Sequence, residues 1–566
     1  MEPPIEKLAQ QWLELDQDPE TSREMESLLA SRDTAELELR LRKRITFGTA
    51  GLRASMGAGF SRMNALTVIQ ASQGLAAYLL EQEPSARDRG VVIGRDARYN
   101  SDKFAKLAAA AFIHRGIRIL WLGMVHTPLV PFTVGKLNAA AGVMVTASHN
   151  PANDNGYKVY WSNGCQIIPP HDVGIAEAIE RNLGPQSWDS DAVARGSPLV
   201  VHALDQVKDA YFAAISSIAS PSTLKISPDP TPFVYTPMHG VGLPFFTTAV
   251  QQLGVLPSSY HVVEEQAHPD PSFPTVRFPN PEEKGALKLA TSTADTHDIS
   301  LVLANDPDAD RFSIAQKVGG EWRQLTGNQI GILLGSYVAE SYLEGLNANK
   351  KPLAMLASTV SSRMLSALAK HNGFHFEETL TGFKWMGNRA RDLESRGYAA
   401  LYAFEEAIGY MFSPVVFDKD GVTAASQLYE QYGYFEDANT YLVSPSPATT
   451  NAVFDGIRQS MKTGVGKYVG RRRIMRWRDL TVGYDSATPD SRPALPVDSN
   501  AQMISCELEG GVCFTVRGSG TEPKIKLYIE GESKESSAAA KAKAEEVLES
   551  LLSEWFKPDE NGLRLA

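Results

Sequence analysis

Residues 299–312 read ISLVLANDPDADRF, an apolar run that breaks into a polar loop at Asn305. The run has the composition of a buried strand, and Pro307 keeps the loop from continuing as a helix. The same grammar recurs twice. GVMVTASHNP (142–151) runs from an apolar segment into Thr146–Asn150, and AALYAFEEAIGY (399–410) ends its apolar run at Glu405 and Glu406. Around these segments, helical spacing alternates with apolar runs. It predicts helices at 66–83, 102–115, 128–137, 205–219, 282–293, 361–371 and 384–396, and strands at 91–94, 117–121, 233–235, 353–358 and 374–378. Residues 5–42 read as helices interrupted at Pro19, with Thr21, Ser22 and Asp33 as capping candidates. The final hundred or so residues differ: 503–530 reads as paired strands around a Gly-rich loop, and 535–556 as a long helix. The fold class is α/β, with three α/β domains and a C-terminal α+β domain around a central cleft. The boundaries are placed at 1–205, 206–326, 327–445 and 446–566. In such sheets ligands gather where strands end, and all three polar loops lie there.

Composition narrows the function classes. The 566 residues carry 55 Lys plus Arg against 66 Asp plus Glu, a formal charge of −11, which disfavours a nucleic-acid phosphate backbone as partner. A small anion is compatible with it, because a few Arg and Lys focused in one cleft outweigh an acidic exterior. Three cysteines, Cys165, Cys506 and Cys513, are too few and scattered for a disulfide framework and read as reduced intracellular thiols. The opening MEPPIEKLAQQW lacks the basic start and apolar run of a secretory signal, and no apolar stretch is long enough to cross a bilayer. The reading is a cytoplasmic protein with small-molecule partners, no nucleic acid and no membrane. The sequence says nothing of oligomeric state.

Three alternating carboxylates, Asp306, Asp308 and Asp310, suit a hard divalent cation, although a solvated acidic turn or an aspartyl-nucleophile phosphatase would show the same pattern. Ser148 lies next to His149 and ten positions before Lys158, two candidate proton carriers, yet spacing alone favours an Asx-rich turn. Arg53 in TFGTAGLR, and Arg95 and Arg98 in IGRDARYN, place guanidinium groups beside turn-forming residues, which suits a phosphate oxygen. In RGSGTEPK (517–524) small residues allow backbone N–H groups to close on an anion while Arg517, Ser519, Thr521 and Lys524 add donors; a hairpin turn has the same composition.

Taken together, TASHNP, DPDADR, TGFK, EEAIG and RGSGTEPK fall in the order found in the α-D-phosphohexomutase superfamily, which the chain resembles over nearly its whole length. TFGTAGLR, GFKWMG and FEEAIGY look most like the branch that includes phosphopentomutases and glucose-1,6-bisphosphate synthase. The resemblance implies a phosphosugar mutase that moves a phosphoryl group between the C1 oxygen and the terminal hydroxyl of an aldose. Glucose and ribose phosphates are the implied substrates, with a sugar bisphosphate as intermediate and activator. It makes Ser148 the phosphoserine, with Mg²⁺ held by Asp306, Asp308, Asp310 and an oxygen of Ser148. His149, Lys158, Arg53 and Arg311 would surround the transferring group. Thr381, Gly382, Lys384, Glu405, Glu406 and Lys419 would hold the sugar, and Arg517, Ser519, Gly520, Thr521 and Lys524 the phosphate that does not react. The alternatives are a glucose-1,6-bisphosphate synthase, a metal-dependent sugar phosphatase and a non-enzymatic phosphosugar sensor.

Two departures carry expectations of their own. Where many family members have Glu-x-Ser-Gly, this chain has Glu406-Ala407-Ile408-Gly409, so Ile408 is expected to meet the sugar as an apolar contact and to relax hexose selectivity. The stretch after Asp420, GVTAASQLYEQYGYF, looks shortened and is expected to truncate a helix.

Overall fold

The computed structural model describes residues 3–218, 232–318, 320–343, 350–427, 434–437, 440–463, 467–519, 524–533 and 537–565. It comprises two compact units: Met1–Leu356 with Gly382–Tyr429, and Ala357–Thr381 with Glu430–Ala566.

The first unit opens with three helices, Ile5–Leu15, Pro19–Ser31 and Thr34–Leu41. Pro19 occupies the first turn of the second helix, where its missing N–H costs nothing, and Asp18 caps it by accepting from Glu20 N. Its first sheet orders its strands Leu52–Ser55, Asp154–Trp161, Ala141–Val145, Val91–Arg95, Ile119–Met124 and Val200–His202. The last four pair in parallel, whereas Asp154–Trp161 runs antiparallel to both of its neighbours. Ser148 therefore sits in the loop of a β-hairpin whose second strand the sequence reading missed. The helix Ala65–Gln82 is buried on nearly every side, and a Cβ at Gly74 would lie 2.6 Å from the Ile179 Cα, so glycine is required for that close packing.

The second sheet orders Glu321–Gln324, Phe312–Val318, Leu301–Asn305, Phe233–Thr236 and Tyr260–Val262. Its expected helix at 282–293 is instead Lys288–Thr296, because Gly285 takes a positive φ of 86° and holds the preceding residues in turns. A third sheet places Leu353–Ser358 beside Ala399–Glu405, which pairs with Gly409–Phe412. The apolar residues of each layer form their own core clusters.

The second unit is built on a large, mostly antiparallel sheet running from Tyr468–Val469 through Arg472–Asp479, Met503–Leu508, Val512–Gly518 and Lys524–Ser533 to Thr440–Val443. The helices Pro447–Thr463 and Ser537–Ser550 belong to it, and the latter runs into a π-helical turn at Leu551–Phe556. Ala357–Thr381 joins this unit through Arg478, whose guanidinium bonds Glu378 at 2.8 Å and Thr359, and through Val360 and Leu380, which pack with Leu480 and Met503. Among the described residues, no helix is long and apolar enough to cross a membrane.

Candidate active site

Ser148 follows the strand Ala141–Val145 and is buried, with a φ of 54° that side-chain-bearing residues seldom adopt. Its N–H donates to Thr146 Oγ1 at 2.8 Å, and its hydroxyl donates to Asp306 Oδ2 at 3.0 Å. Asp306, Asp308 and Asp310 follow the strand Leu301–Asn305, are fully buried, and each offers an oxygen within 4.8 Å of the others. The loop that carries them is set by close backbone approaches: a Cβ at Gly240 would lie 2.2 Å from the Pro307 Cα, and one at Gly421 2.2 Å from the Arg311 carbonyl. Asn305 fastens the far end, donating to Arg311 O at 2.6 Å while accepting from the Tyr235 hydroxyl.

Partners fix one oxygen of Asp308 and of Asp310 and both oxygens of Asp306. Asp308 Oδ2 accepts from Thr127 Oγ1 at 2.6 Å and Lys158 Nζ at 2.8 Å. Asp310 Oδ2 accepts from Lys158 at 2.9 Å and pairs with Lys419 Nζ at 2.8 Å. Asp306 Oδ1 accepts the Arg311 N–H at 3.0 Å. Asp308 Oδ1 and Asp310 Oδ1 are buried without a partner. Such orphaned carboxylate oxygens fit a hard cation, for which oxygen ligands are the preferred set. Burial, then Asp308 and Asp310, push the Asp306 carboxyl well above the usual range. Burial would do the same to its two neighbours, but Lys158 holds Asp308 below that range, and Lys158 with Lys419 holds Asp310 below it.

Lys158 was one of two candidate proton carriers. Its ammonium is desolvated, yet the carboxylates of Asp308 and Asp310, at 2.8 and 2.9 Å, raise its pKa above the ordinary lysine value. His149 is half-buried, and burial, with Arg311 and Arg53 nearby, holds its imidazole well below its usual value. Arg53 donates to Asn150 Oδ1 at 3.3 Å, which places it on the Ser148 loop, and Arg311 lies 3.9 Å from Glu282. Lys419, expected on the sugar, is engaged with Asp310.

Of the other expected sugar residues, Gly382 and Glu405 are in contact. Gly382 N–H donates to Glu405 Oε1 at 3.0 Å, and Lys384 Nζ bonds Thr49 Oγ1. Glu405, Glu406 and Thr381 are half-buried. Ile408 corrects its expectation: it is 1% exposed, so its side chain packs inward and is not presented to a sugar. After Asp420 the chain forms only the short helix Gly421–Ala425; residues 428–433 of the apparently shortened stretch lie outside the described residues. In the second unit Ser519 N–H donates to Lys524 O at 2.8 Å, closing the end of a hairpin, and Arg517 Nη2 reaches the Tyr528 hydroxyl at 3.3 Å. Gly520 and Thr521 lie outside the described residues.

Sequence reasoning missed Thr127, which nothing local marks as functional. Of the two arginines in IGRDARYN, Arg95 lies 3.1 Å from Asp102, and Arg98 is enclosed by carbonyl groups rather than open to a phosphate.

Comparison with known proteins agrees with this architecture. Models described as phosphoglucomutase/phosphomannomutase alpha/beta/alpha domains I, II and III match residues 44–184, 209–319 and 326–436, and the C-terminal domain matches 491–548. A probable phosphoribomutase of Schizosaccharomyces pombe is 45% identical over 100% of both chains. Human glucose 1,6-bisphosphate synthase is 39% identical over 99% of this chain and 96% of its own. The open form of pp63/parafusin, a phosphoglucomutase from Paramecium, shares the fold with a TM-score of 0.63 at 17% identity, covering 89% of this chain and 95% of that one. Four family domains in order, together with a full-length relative at this identity, place the protein in the phosphoglucomutase/phosphomannomutase family, among the phosphosugar mutases of the α-D-phosphohexomutase superfamily.

Proposed function

We propose that this protein interconverts the 1-phosphate and terminal phosphate of an aldose, ribose first and glucose second, through a phosphoserine at Ser148 and a sugar bisphosphate. The observation that carries the reading is the approach of Ser148 Oγ to Asp306, 3.0 Å, beside two carboxylates with unpartnered buried oxygens. Asp306, Asp308, Asp310 and an oxygen on Ser148 would hold Mg²⁺, which when bound withdraws charge from the transferring phosphoryl group.

The chain's own residues do the rest. Lys158 and Lys419 keep Asp308 and Asp310 ionised and oriented. The bond between phosphorus and Ser148 Oγ breaks as one to a sugar oxygen forms, the sugar hydroxyl's proton passes to His149 and Ser148 leaves as the alkoxide, and His149 returns that proton to the other sugar oxygen when the alkoxide takes a phosphoryl group back. The reverse transfer, from the other end of the bisphosphate, restores the phosphoserine. Arg53 and Arg311 supply positive charge around the group in flight, since phosphoryl transfer depends more on positioning and charge neutralisation than on covalent help. Gly382, Lys384, Glu405, Glu406 and Thr381 take the sugar, and Arg517, Ser519, Gly520, Thr521 and Lys524 the other phosphate, whose binding helps orient the reacting end.

Ribose is placed first because a full-length relative named a phosphoribomutase is more similar than the named bisphosphate synthase. The test offers ribose 1-phosphate and glucose 1-phosphate with Mg²⁺ and a trace of bisphosphate, and compares kcat/KM. The reading requires a higher value for ribose 1-phosphate with no free phosphate released. Stoichiometric phosphate release would make the protein a phosphatase, and net accumulation of glucose 1,6-bisphosphate from a phosphoryl donor would make it a synthase.

A further inference from the structure

The loop that carries Ser148 is wrapped around a single buried guanidinium, and we propose that Arg98 is the positioning residue for that serine, fixing its backbone and so the direction of its hydroxyl. The inference rests on the reading of Ser148 as the phosphoryl carrier. Arg98 Nη2 donates to Ser148 O and Asn150 O, both at 2.6 Å, and Nη1 donates to Pro151 O at 2.8 Å and Asp154 O at 3.3 Å. Four carbonyl groups of one seven-residue stretch, Ser148 to Asp154, thus converge on one planar fork. The guanidinium is 1% exposed and pairs with Asp96 at 3.2 Å, an equally buried carboxylate that is fixed in turn by the Ser101 hydroxyl at 2.6 Å. The ring of Phe273 covers it, with its centroid 4.9 Å away.

These contacts use the donors of both Nη atoms and seal the group from solvent, so Arg98 is out of reach of a phosphate. What it does instead follows from the geometry of Ser148. That residue holds an uncommon positive φ of 54°, and it is pinned on both sides: its amide by Thr146 Oγ1 and its carbonyl by Arg98. With both peptide groups fixed, the Cα–Cβ bond has one direction, and Oγ meets Asp306. A lysine would retain the charge, but its point-like ammonium cannot reproduce a planar fork that serves four carbonyl groups.

The test uses Arg98→Lys in the full chain, assayed well below its own melting temperature, with Ser148→Ala in parallel. We expect kcat to fall about 100-fold, the cost of a misplacement near 1 Å, with KM little changed. Amide exchange in the peptide 148–156 should accelerate while that in 301–312 does not. Arg98→Ala, where it folds, should regain turnover when free guanidinium is added. A purely structural Arg98 would lower the melting temperature and leave kcat per folded molecule as in the wild type, and that result overturns the inference. Unchanged exchange in 148–156 overturns it as well. If exchange rises but both Arg98→Lys and Ser148→Ala keep full turnover, the error lies in the serine reading, and the hold of Arg98 on the loop stands.

Discussion

The aspartate loop at 306–311 and the paired strands Val512–Gly518 and Lys524–Ser533 both carry charged residues of the proposed site, but they are held in different ways. Each carboxylate in the first loop is oriented by side chains distant in sequence, with Ser148, Thr127 and Lys158 reaching it across 158, 181 and 150 positions. The hairpin is built mainly from residues close in sequence, although Gly518 N–H donates to Gln502 O at 2.9 Å and Lys524 lies over the Tyr441 ring, 4.5 Å from its centroid. Its strands pair Arg517 with Lys526 and Gly518 with Ile525, and Ser519 N–H closes onto Lys524 O. A site of the first kind can be broken from many places in the chain, a site of the second kind from its own strands and the neighbours they touch. Long-range support lets the first loop bury three carboxylates together, which a local turn exposed to water could not do.

The most severe break is at the group the long-range site serves. Ser148→Ala should lower mutase turnover by about 1000-fold or more, as loss of a covalent nucleophile does, with the melting temperature unchanged. A purified variant free of wild-type protein that kept most of its activity would dismiss the phosphoserine.

Long-range support also makes the first loop sensitive to pH. Asp420 caps the helix Gly421–Ala425, accepting from Val422 N, Thr423 N, Thr423 Oγ1 and Tyr211 OH, and Gly421 N–H donates to Ala309 O at 3.2 Å. Burial pushes the Asp420 carboxyl up to about 6 despite these donors. The folded chain therefore binds this proton more tightly than the unfolded chain, whose carboxyl titrates near 4. Between those values the folded state carries the extra proton, so stability is greatest at the acid end and falls as pH rises through the window. The fall should be about 3 kcal/mol and should level off above the window. Denaturant melts of wild type and Asp420→Asn across that range isolate the effect, since the variant cannot titrate there. Parallel curves would mean that Asp420 stays ionised.

The hairpin should respond differently. Arg517→Gln removes a charge-assisted donor worth about 2 kcal/mol and should cut kcat/KM by roughly 30-fold, leaving the Mg²⁺ concentration for half-maximal rate unchanged. A shift in that Mg²⁺ requirement would erase the contrast between the two loops.

The same contrast explains what the sequence disclosed. Strand-to-loop transitions at Val145, Asn305 and Glu405 depend on local apolar runs, and all three were legible. Asp154–Trp161 was not, because DNGYKVYW begins with turn-forming residues and its pairing with Ala141–Val145 is a tertiary fact. Arg98 looked suited to a phosphate oxygen because composition shows the charge of a guanidinium and not the four carbonyl groups that absorb it. Ile408 was read as facing a sugar by analogy of position; its burial is decided by the packing of its loop, where a Cβ at Gly327 would lie 1.9 Å from Glu406 O. The three aspartates were visible as a pattern, but which oxygen of each stays available depends on partners that no local window contains.

Thr127 offers the finest test of that last point. It is fully buried and grips Asp308 twice, by its N–H to the Asp308 carbonyl at 2.9 Å and by its hydroxyl to Oδ2 at 2.6 Å. The hydroxyl bond, with Lys158 on the same oxygen, leaves Oδ1 as the oxygen available to a cation. Valine matches threonine in shape and keeps the backbone contact, so Thr127→Val removes one hydrogen bond while preserving the packing. Asp308 should then turn more freely about its last torsion and lose part of its preorganisation. Partners that orient metal ligands typically contribute 10- to 100-fold in affinity, and because Lys158 remains, we expect about the lower figure, a tenfold rise in the Mg²⁺ needed for half-maximal rate. kcat at saturating Mg²⁺ should stay near the wild-type value, which separates this effect from damage to Ser148. Thr127→Ser keeps the hydroxyl and should restore the wild-type requirement even though it leaves a methyl-sized gap. If Val and Ser variants behaved alike, packing rather than the hydrogen bond would be what Thr127 contributes, and the long-range orientation of Asp308 would rest on Lys158 alone.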